Sequence, residues 1–361
     1  MTTALTGPAA ELGREMRNGI ESYFQYVNSQ GGIEGQYLEL IVKDDGYEPE
    51  RAGNNMRALI EKDKVMAVLG NVGTPTAVVT VPIAIETKTL LFGAFSGGDV
   101  LRAKPPNRYV INYRASYAQE TKEMISGLLK VGIQPEEIAF FTQRDSYGDA
   151  GFQGAKVALE THGYTSIIKL AHGRYTRNTT NVEGAVATIL DAEIEPKAII
   201  MAAGHEASSK FIQLLIEDLP NVWFVNLSFG AGYLLESVLG NDAKNVIATQ
   251  VVPPISSSLP IIEEYKRSLE HYNLSLKPNN VSLEGYIVAK IFHQALLNTK
   301  GSITKETIID SLDSITSADI GIGVDISLNS NDHQAIDNIW LSRLKDSLFV
   351  GFSWDEIEKS W

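Results

Sequence analysis

The sequence predicts an α/β protein built from two doubly wound parallel-sheet lobes. Three observations carry this. Short apolar runs of strand length alternate along the whole chain with longer runs at helical spacing, the pattern of strand–helix units around parallel sheets. Glycine loops follow the strands, as in Val68–Leu101, VLGNVGTPTAVVTVPIAIETKTLLFGAFSGGDVL, which reads strand, glycine loop, helix, strand, glycine loop. The alternation restarts near Arg114, and 361 residues with 44% hydrophobic content suffice for two buried cores.

The elements follow in order. Leu12, Met16, Ile20, Tyr23, Phe24 and Val27 recur at helical spacing and predict a helix over Ala10–Asn28, stopped by Gly31-Gly32. Leu38–Lys43 is a predicted strand running into Asp44-Asp45-Gly46, and Pro49 opens a helix to about Lys62. Val65–Leu69 is the next strand, broken by Gly70 and Gly73. Thr74 then takes the expected N-cap position, with Pro75 at the first helical position. A strand at Thr89–Phe92 ends in Ser96-Gly97-Gly98. Ser116 and Gln119 have capping-box spacing for a helix reaching Val131. Next come a strand at Ile138–Phe141, a loop from Gln143 to Gly148, and a helix to Thr161. Strands are expected at Ile167–Leu170, Ala198–Met201 and Trp223–Val225, and helices at Val182–Leu190 and Ala207–Ile216. Val246–Val252 is extended up to Pro253-Pro254, where the chain changes lobe. Helices at Pro260–His271, Leu283–Thr299 and Lys305–Leu312 follow. Ile339–Leu344 and Leu348–Phe352 read as a hairpin turning at Lys345-Asp346. The expected lobes are 1–115 with 251–328, and 116–250 with 329–361. One element is short: a doubly wound lobe opens on a strand, and only Thr2–Leu5 precedes the Thr6-Gly7-Pro8 turn, so the first strand is either very short or trimmed.

Composition excludes several classes. A net charge of −13 without a long basic cluster argues against nucleic acid and anionic membrane surfaces as partners. The absence of cysteine removes disulfides, thiolate metal sites and cysteine nucleophiles together. No run approaches the ~18 apolar residues of a membrane span. No signal peptide opens the chain, and MTTALTGP reads as an exported chain whose signal has been removed. There is no Walker motif, G-x-G-x-x-G or H-E-x-x-H, and Asp44-Asp45 lacks further ligands at metal spacing and reads as a turn. No cofactor and no metal are therefore expected.

Two loops at the carboxyl ends of adjacent parallel strands face one crevice, where open α/β sheets bind ligands. Backbone N–H groups at a helix start, with a threonine hydroxyl beside them, suit a carboxylate. Thr74 serves as ligand donor, as N-cap, or as both. Ser96, in Ala94-Phe95-Ser96-Gly97-Gly98, approximates the nucleophile elbow G-x-S-x-G with alanine at the first glycine. A hydrolase also needs a histidine and an acid, and no spacing singles out His172, His205, His271, His293 or His333. Tyr147 offers a flat face and a polar tip. Arg114 and Tyr117 lie near the expected first lobe crossing, and Arg114 pairs either with a ligand anion or with a carboxylate at the hinge. Phe95 and Phe229 wall an apolar pocket or belong to the core. Glu284 and Tyr286 pack at the lobe-one hinge.

The segments ALTGPAAELG, NSQGGIEG, KDDGYEP, LGNVGTPT, NYRASYAQE, TQRDSYGDAGFQGA and LEGYIVAK occur in this order over nearly the whole chain. Together they resemble the type I periplasmic binding proteins, specifically the leucine/isoleucine/valine-binding-protein-like solute receptors of ABC transporters. The resemblance implies two lobes joined by a multi-strand hinge, a ligand clamped between them, and no enzymatic activity. It implies a periplasmic or extracytoplasmic location, a small carboxylate-bearing ligand (amino acid or organic acid), and a membrane permease as partner. On the first lobe it points to Asn71, Gly73 and Thr74, and to Phe95, Ser96 and Gly97, with Arg114 and Tyr117 at the crossing. On the second it points to Asp145, Tyr147, His205 and Ser228. Amino-acid-binding members hold the ligand ammonium with an acid after the Trp223–Val225 strand. Here Asn226-Leu227-Ser228-Phe229 carries none, and Ser228 stands nearby, with Asp145, Glu206 or Glu236 as possible replacements. Organic acids, or acids with a neutral polar group, are therefore expected to bind at least as well as leucine or valine. The alternatives are a ligand-sensing domain of a signalling receptor and, third, a serine hydrolase built on Ser96.

Overall fold

The computed structural model describes residues 1–239, 245–272, 276–346 and 348–357. The chain forms two units, Met1–Ala115 with Ile255–Asn338, and Ser116–Pro254 with Ile339–Trp361. The first passage falls after Ala115. The second and third fall after Pro254 and Asn338, later than the expected 250 and 328. Residues 329–338 stay with the first unit because they add backbone bonds to it: Asn112 N donates to His333 O at 2.7 Å, Ala335 N to Asn112 O at 2.9 Å, and Ile336 N to Tyr113 O at 3.1 Å.

Along the chain, the first unit begins with β1 (Thr2–Thr3), α1 (Ala10–Ser29), β2 (Lys43–Asp44), α2 (Pro49–Glu61), β3 (Ala67–Leu69), α3 (Thr74–Glu86), β4 (Leu90–Phe92) and β5 (Val110–Ile111). The second unit continues with α4 (Tyr117–Lys130), β6 (Ile138–Gln143), α5 (Ser146–Thr161), β7 (His172–Tyr175), α6 (Glu183–Leu190), β8 (Ala198–Ala202), α7 (His205–Leu215), β9 (Trp223–Asn226), α8 (Tyr233–Leu239) and β10 (Val246–Gln250). The chain then returns for α9 (Pro260–Tyr272), α10 (Asn280–Asn298), α11 (Lys305–Leu312) and the small pair β11 (Ala318–Asp319) and β12 (Asp325–Ile326). It closes in the second unit with β13 (Trp340–Lys345) and β14 (Leu348–Gly351).

In the first unit β3, β4 and β5 pair in parallel, in that order. Val68, Leu91 and Val110 meet Met56, Ala77 and Val81 in the core. Helix α1 buries the stripe read from the sequence. It packs on α10, where Tyr23 meets Tyr286 edge-on at 4.9 Å between ring centres. In the second unit the sheet order is β14-β13-β10-β9-β8-β6-β7, with β13 antiparallel to both β10 and β14 and the other pairs parallel. Its core includes Phe141 stacked on Phe211 at 3.9 Å.

Three local expectations change. The run Ile167–Leu170 is not a strand: Ile167–Lys169 is a single 3-10 turn with Ile168 97% exposed, and the strand is β7, five residues on. β7 is an edge strand reading His-Gly-Arg-Tyr, so apolarity does not mark it. Of Leu38–Lys43, only Lys43 joins a ladder. Helix α3 is capped by Gly73, not Thr74; Thr74 is already its first residue. The hairpin of β13 and β14 forms as expected, although its turn includes Ser347, outside the described residues.

Candidate functional site

In the first unit the loops after β3 and β4 are tied by their own backbone. Gly73 N donates to Phe95 O at 3.1 Å, and Phe95 N to Asn71 O at 2.8 Å. Gly73 has φ 103°, and a Cβ there would lie 2.1 Å from the Tyr47 ring, so two independent constraints require glycine. The result is a flat approach to the start of α3. There Thr74 and Ser96 share a hydrogen bond between hydroxyls at 2.8 Å, and Gly98 N donates to Ser96 Oγ at 3.1 Å. Gly97 lies buried in the same loop. Gly98 is bare because a Cβ would meet Thr74 Cγ2 at 2.5 Å.

A helix start leaves its first N–H groups without intrahelical acceptors. Pro75 has no N–H to offer, so the amides of Thr74 and Thr76 are the ones a ligand oxygen would meet. Asn71 Oδ1 accepts from Thr2 N at 2.9 Å, while its buried Nδ2 has no partner among the described residues. These residues make a buried set of hydroxyl and N–H donors suited to a carboxylate.

Arg114 pairs with a carboxylate of its own unit. Its Nε donates to Glu284 Oε1 at 2.9 Å and its Nη2 to Glu284 Oε2 at 2.8 Å, with the pair 1% and 2% exposed. The guanidinium also lies 4.2 Å over the Phe95 ring. Arg102, which sequence reasoning missed, donates from Nη1 to Ser96 O and Gly98 O and from Nη2 to Arg114 O. It thereby fixes the serine loop against the end of the first passage. Asp44 and Asp45 are engaged in turn bonds to Leu5 N, Gly46 N and Tyr47 N. Burial, opposed by the Thr2 hydroxyl and Tyr47 N, pushes Asp45 up to about 6.

In the second unit Tyr147 lies buried in the first turn of α5, its ring 5.3 Å from that of Tyr117 and 4.6 Å from that of Phe229. These three form an aromatic wall at the carboxyl ends of β6 and β9. Asp145 caps α5 and pairs with Arg177 Nη1 at 3.0 Å. His205 is the buried first residue of α7. Ser228 is buried with an acid against it, and that acid is Glu120. Glu120 Oε2 accepts from Ser228 N at 2.9 Å and from Thr249 Oγ1, and Oε1 accepts from Ser228 Oγ at 2.9 Å. Of the replacement acids expected, Glu236 accepts from the backbone of Phe349 and Glu206 is exposed. Glu120 carries no signal at its own position: it is one acid in Gln-Glu-Thr-Lys-Glu, and its partners lie more than a hundred residues away.

Residues 1–347 match the family described as periplasmic binding protein. The chain belongs to the periplasmic binding protein family. It is similar to a crystal structure titled as a possible leucine/isoleucine/valine-binding protein from Rhodopirellula baltica SH 1, with 44% identity and a TM-score of 0.95, covering 99% of this chain and 96% of that one. A substrate-binding periplasmic protein from Ralstonia solanacearum is similar at 25% identity and a TM-score of 0.88, over 97% of this chain and 98% of the other. Leu/Ile/Val-binding protein homolog 7 of Brucella abortus (strain 2308) is 24% identical over 313 residues, 82% of this chain and 75% of the relative. The fold of this family member is the type I periplasmic binding fold. These relatives are named as binding proteins, not enzymes. Among the described residues no helix is long and apolar enough to cross a membrane.

Proposed function

We propose that this periplasmic binding protein is the extracytoplasmic receptor of an ABC transporter and takes a small carboxylate-bearing solute. The observation that carries the reading is the Thr74–Ser96 hydroxyl pair beside the start of α3, with the buried Asn71 amide nitrogen three residues before Thr74. The first unit holds the carboxylate through those hydroxyls and N–H groups. The second contributes the wall of Tyr117, Tyr147 and Phe229. The liganded form is selected because it gains contacts that the empty form lacks, a population shift that a membrane permease reads. The relatives' names make branched-chain amino acids one class to test. Glu120 is engaged by three donors of its own unit, which already occupy the acid that lies against Ser228. A neutral or hydroxylated substituent beside the carboxylate fits that better than an unpaired ammonium.

The test is a thermal-shift screen on refolded, ligand-stripped protein, using leucine, valine and their 2-hydroxy and 2-oxo acid analogues. Stabilisation by the organic acids at least equal to that by leucine or valine is expected. A screen in which only free α-amino acids stabilise would overturn the ligand-charge part. With the best ligand, Thr74→Val weakens binding by about 1–3 kcal/mol, because a buried ligand oxygen loses its partner. The ligand-free protein loses less, since Thr74 does not cap α3 and only the bond to Ser96 goes. Unchanged affinity by calorimetry would remove Thr74 from the site.

The hydrolase reading is disfavoured by the partners of Ser96, which are a threonine hydroxyl and a backbone N–H rather than a histidine. Ester, amide and phosphate substrates are expected to turn over no faster than in buffer. An activity lost in Ser96→Ala would reverse that.

A further inference from the structure

Arg102 follows the single 3-10 turn Asp99–Leu101 and is half-buried. Its backbone is anchored there, since Arg102 N donates to Asp99 O at 2.8 Å and Asn112 Nδ2 donates to Leu101 O at 2.9 Å. From this anchor the guanidinium meets three segments of the first unit. Nη1 donates to Ser96 O at 3.3 Å and to Gly98 O at 3.1 Å, both in the serine loop. Nη2 donates to Arg114 O at 2.8 Å and Ala115 O at 3.4 Å, the last two residues before the first passage. Nε donates to Gln334 Oε1 at 2.8 Å, in the stretch that leads to the third passage after Asn338. Gln334 Nε2 in turn donates to Asp337 Oδ1.

The two stretches are themselves joined, because Ala335 N donates to Asn112 O and Ile336 N to Tyr113 O. Two of the three places where the chain crosses out of this unit therefore lie against one cation. A guanidinium holds its five N–H groups in one rigid plane, so the position of any acceptor constrains the others. A side chain that only stapled the serine loop would need one or two of these bonds. The two loop carbonyls it holds flank the Ser96 hydroxyl and the Gly97 N–H, which the site reading directs at the solute. A cation on Ser96 O also polarises the Ser96–Gly97 peptide and makes the Gly97 N–H a stronger donor.

We propose that Arg102 is a positioning residue whose planar fork couples occupation of the Thr74–Ser96 site to the chain passages after Ala115 and Asn338. The proposal rests on the reading of that site as the seat of the solute carboxylate. A solute that fixes the serine loop fixes its carbonyls, and the fork carries the constraint to Arg114, Ala115 and Gln334. Coupling of this kind is reciprocal, so loosening the Gln334 end weakens solute binding at the other.

The test follows amide exchange in the full chain, with and without whichever of leucine, valine and their 2-hydroxy and 2-oxo analogues raises the melting temperature most. In the wild type the solute is expected to slow exchange at Gly73 and Gly98, in the site, and about ten-fold at Ala335 and Ile336, beside the passages. In Arg102→Met the slowing at Gly73 persists, while that at Ala335 and Ile336 falls to about two-fold or less. Arg102→Lys keeps the charge without the fork and is expected to match methionine. Gln334→Leu is the milder variant: the bonds of Arg102 to the serine loop and to the first passage remain, and slowing at Ala335 and Ile336 and solute affinity each fall about three-fold. Undiminished slowing at Ala335 and Ile336 in Arg102→Met, or wild-type affinity in Gln334→Leu, would overturn the proposal, because Arg102 would then only staple the loop. Wild-type slowing in Arg102→Lys would overturn it too, since charge without the fork would suffice. A solute that slows no exchange at Gly73 and Gly98 of the wild type would instead overturn the site reading, and the proposal with it.

Discussion

Removing the Glu284 carboxylate as Glu284→Ala is expected to destabilise the first unit by roughly 3–5 kcal/mol. The pair it forms with Arg114 is bidentate, at 2.8 and 2.9 Å, and both side chains are almost completely buried. An ion pair in such surroundings contributes little net stability over an apolar pair of the same volume. Breaking one half is different, because the guanidinium stays buried without the charge that offset its desolvation. The Phe95 ring below Arg114 supplies on the order of 2 kcal/mol in such desolvated surroundings and does not replace a carboxylate. For a domain of this size the loss corresponds to a fall in melting temperature on the order of 10 °C. Arg114→Met combined with Glu284→Leu should recover most of it, since no charge is then stranded. Calorimetric melts of the single and double variants check both statements. A Glu284→Ala protein that melts with the wild type, or a double variant as unstable as the single, would show that the desolvated guanidinium is not what the carboxylate offsets.

Much of the architecture is legible in the sequence because its signals are local. Helix α1 follows from six apolar residues at one spacing, and α4 from a serine and glutamine three apart, which do form the capping box. The glycine loops after β3 and β4 announce themselves by Gly73 and Gly98. Their consequence, one hydroxyl against another, depends on two loops 22 residues apart meeting at 2.8 Å. β7 is illegible because an edge strand needs apolar residues on one face only, and here Gly173 and Tyr175 supply that face while a nearby turn carries the isoleucines. The partner of Arg114 is 170 residues away, so its sequence context leaves ligand and hinge carboxylate equally open. Distance along the chain hides Glu120 for the same reason: a buried acid in a helix looks like a solvated one until the strands that donate to it are in place.

Glu120→Ala is the second large effect expected, about 3 kcal/mol lost from the second unit. The carboxylate accepts the Ser228 N–H and hydroxyl and the Thr249 hydroxyl, so one side chain of α4 joins the loop after β9 to β10. Hydrogen bonds to a charged acceptor contribute roughly 1.5–3 kcal/mol each, and they do not add when they share one acceptor. Alanine leaves all three donors buried. The two hydroxyls can turn toward other acceptors or an entering water, but the Ser228 N–H is fixed by the backbone and stays unsatisfied. Glu120→Gln separates charge from geometry. The amide oxygen can take the Oε2 position, keeping the Ser228 N–H and the Thr249 hydroxyl, while the amide NH₂ donates to the Ser228 oxygen in reversed sense. That variant should lose only about 1 kcal/mol, and Ser228→Ala, which leaves the carboxylate two of its donors, a similar amount. Urea titrations of the three variants give the order: alanine at 120 well below the other two, and those two close together. A glutamine variant as unstable as alanine would mean that the negative charge, not the three-way acceptor, holds this corner. Wild-type stability in Glu120→Ala would mean that the loop bearing Ser228 is held by something other than α4.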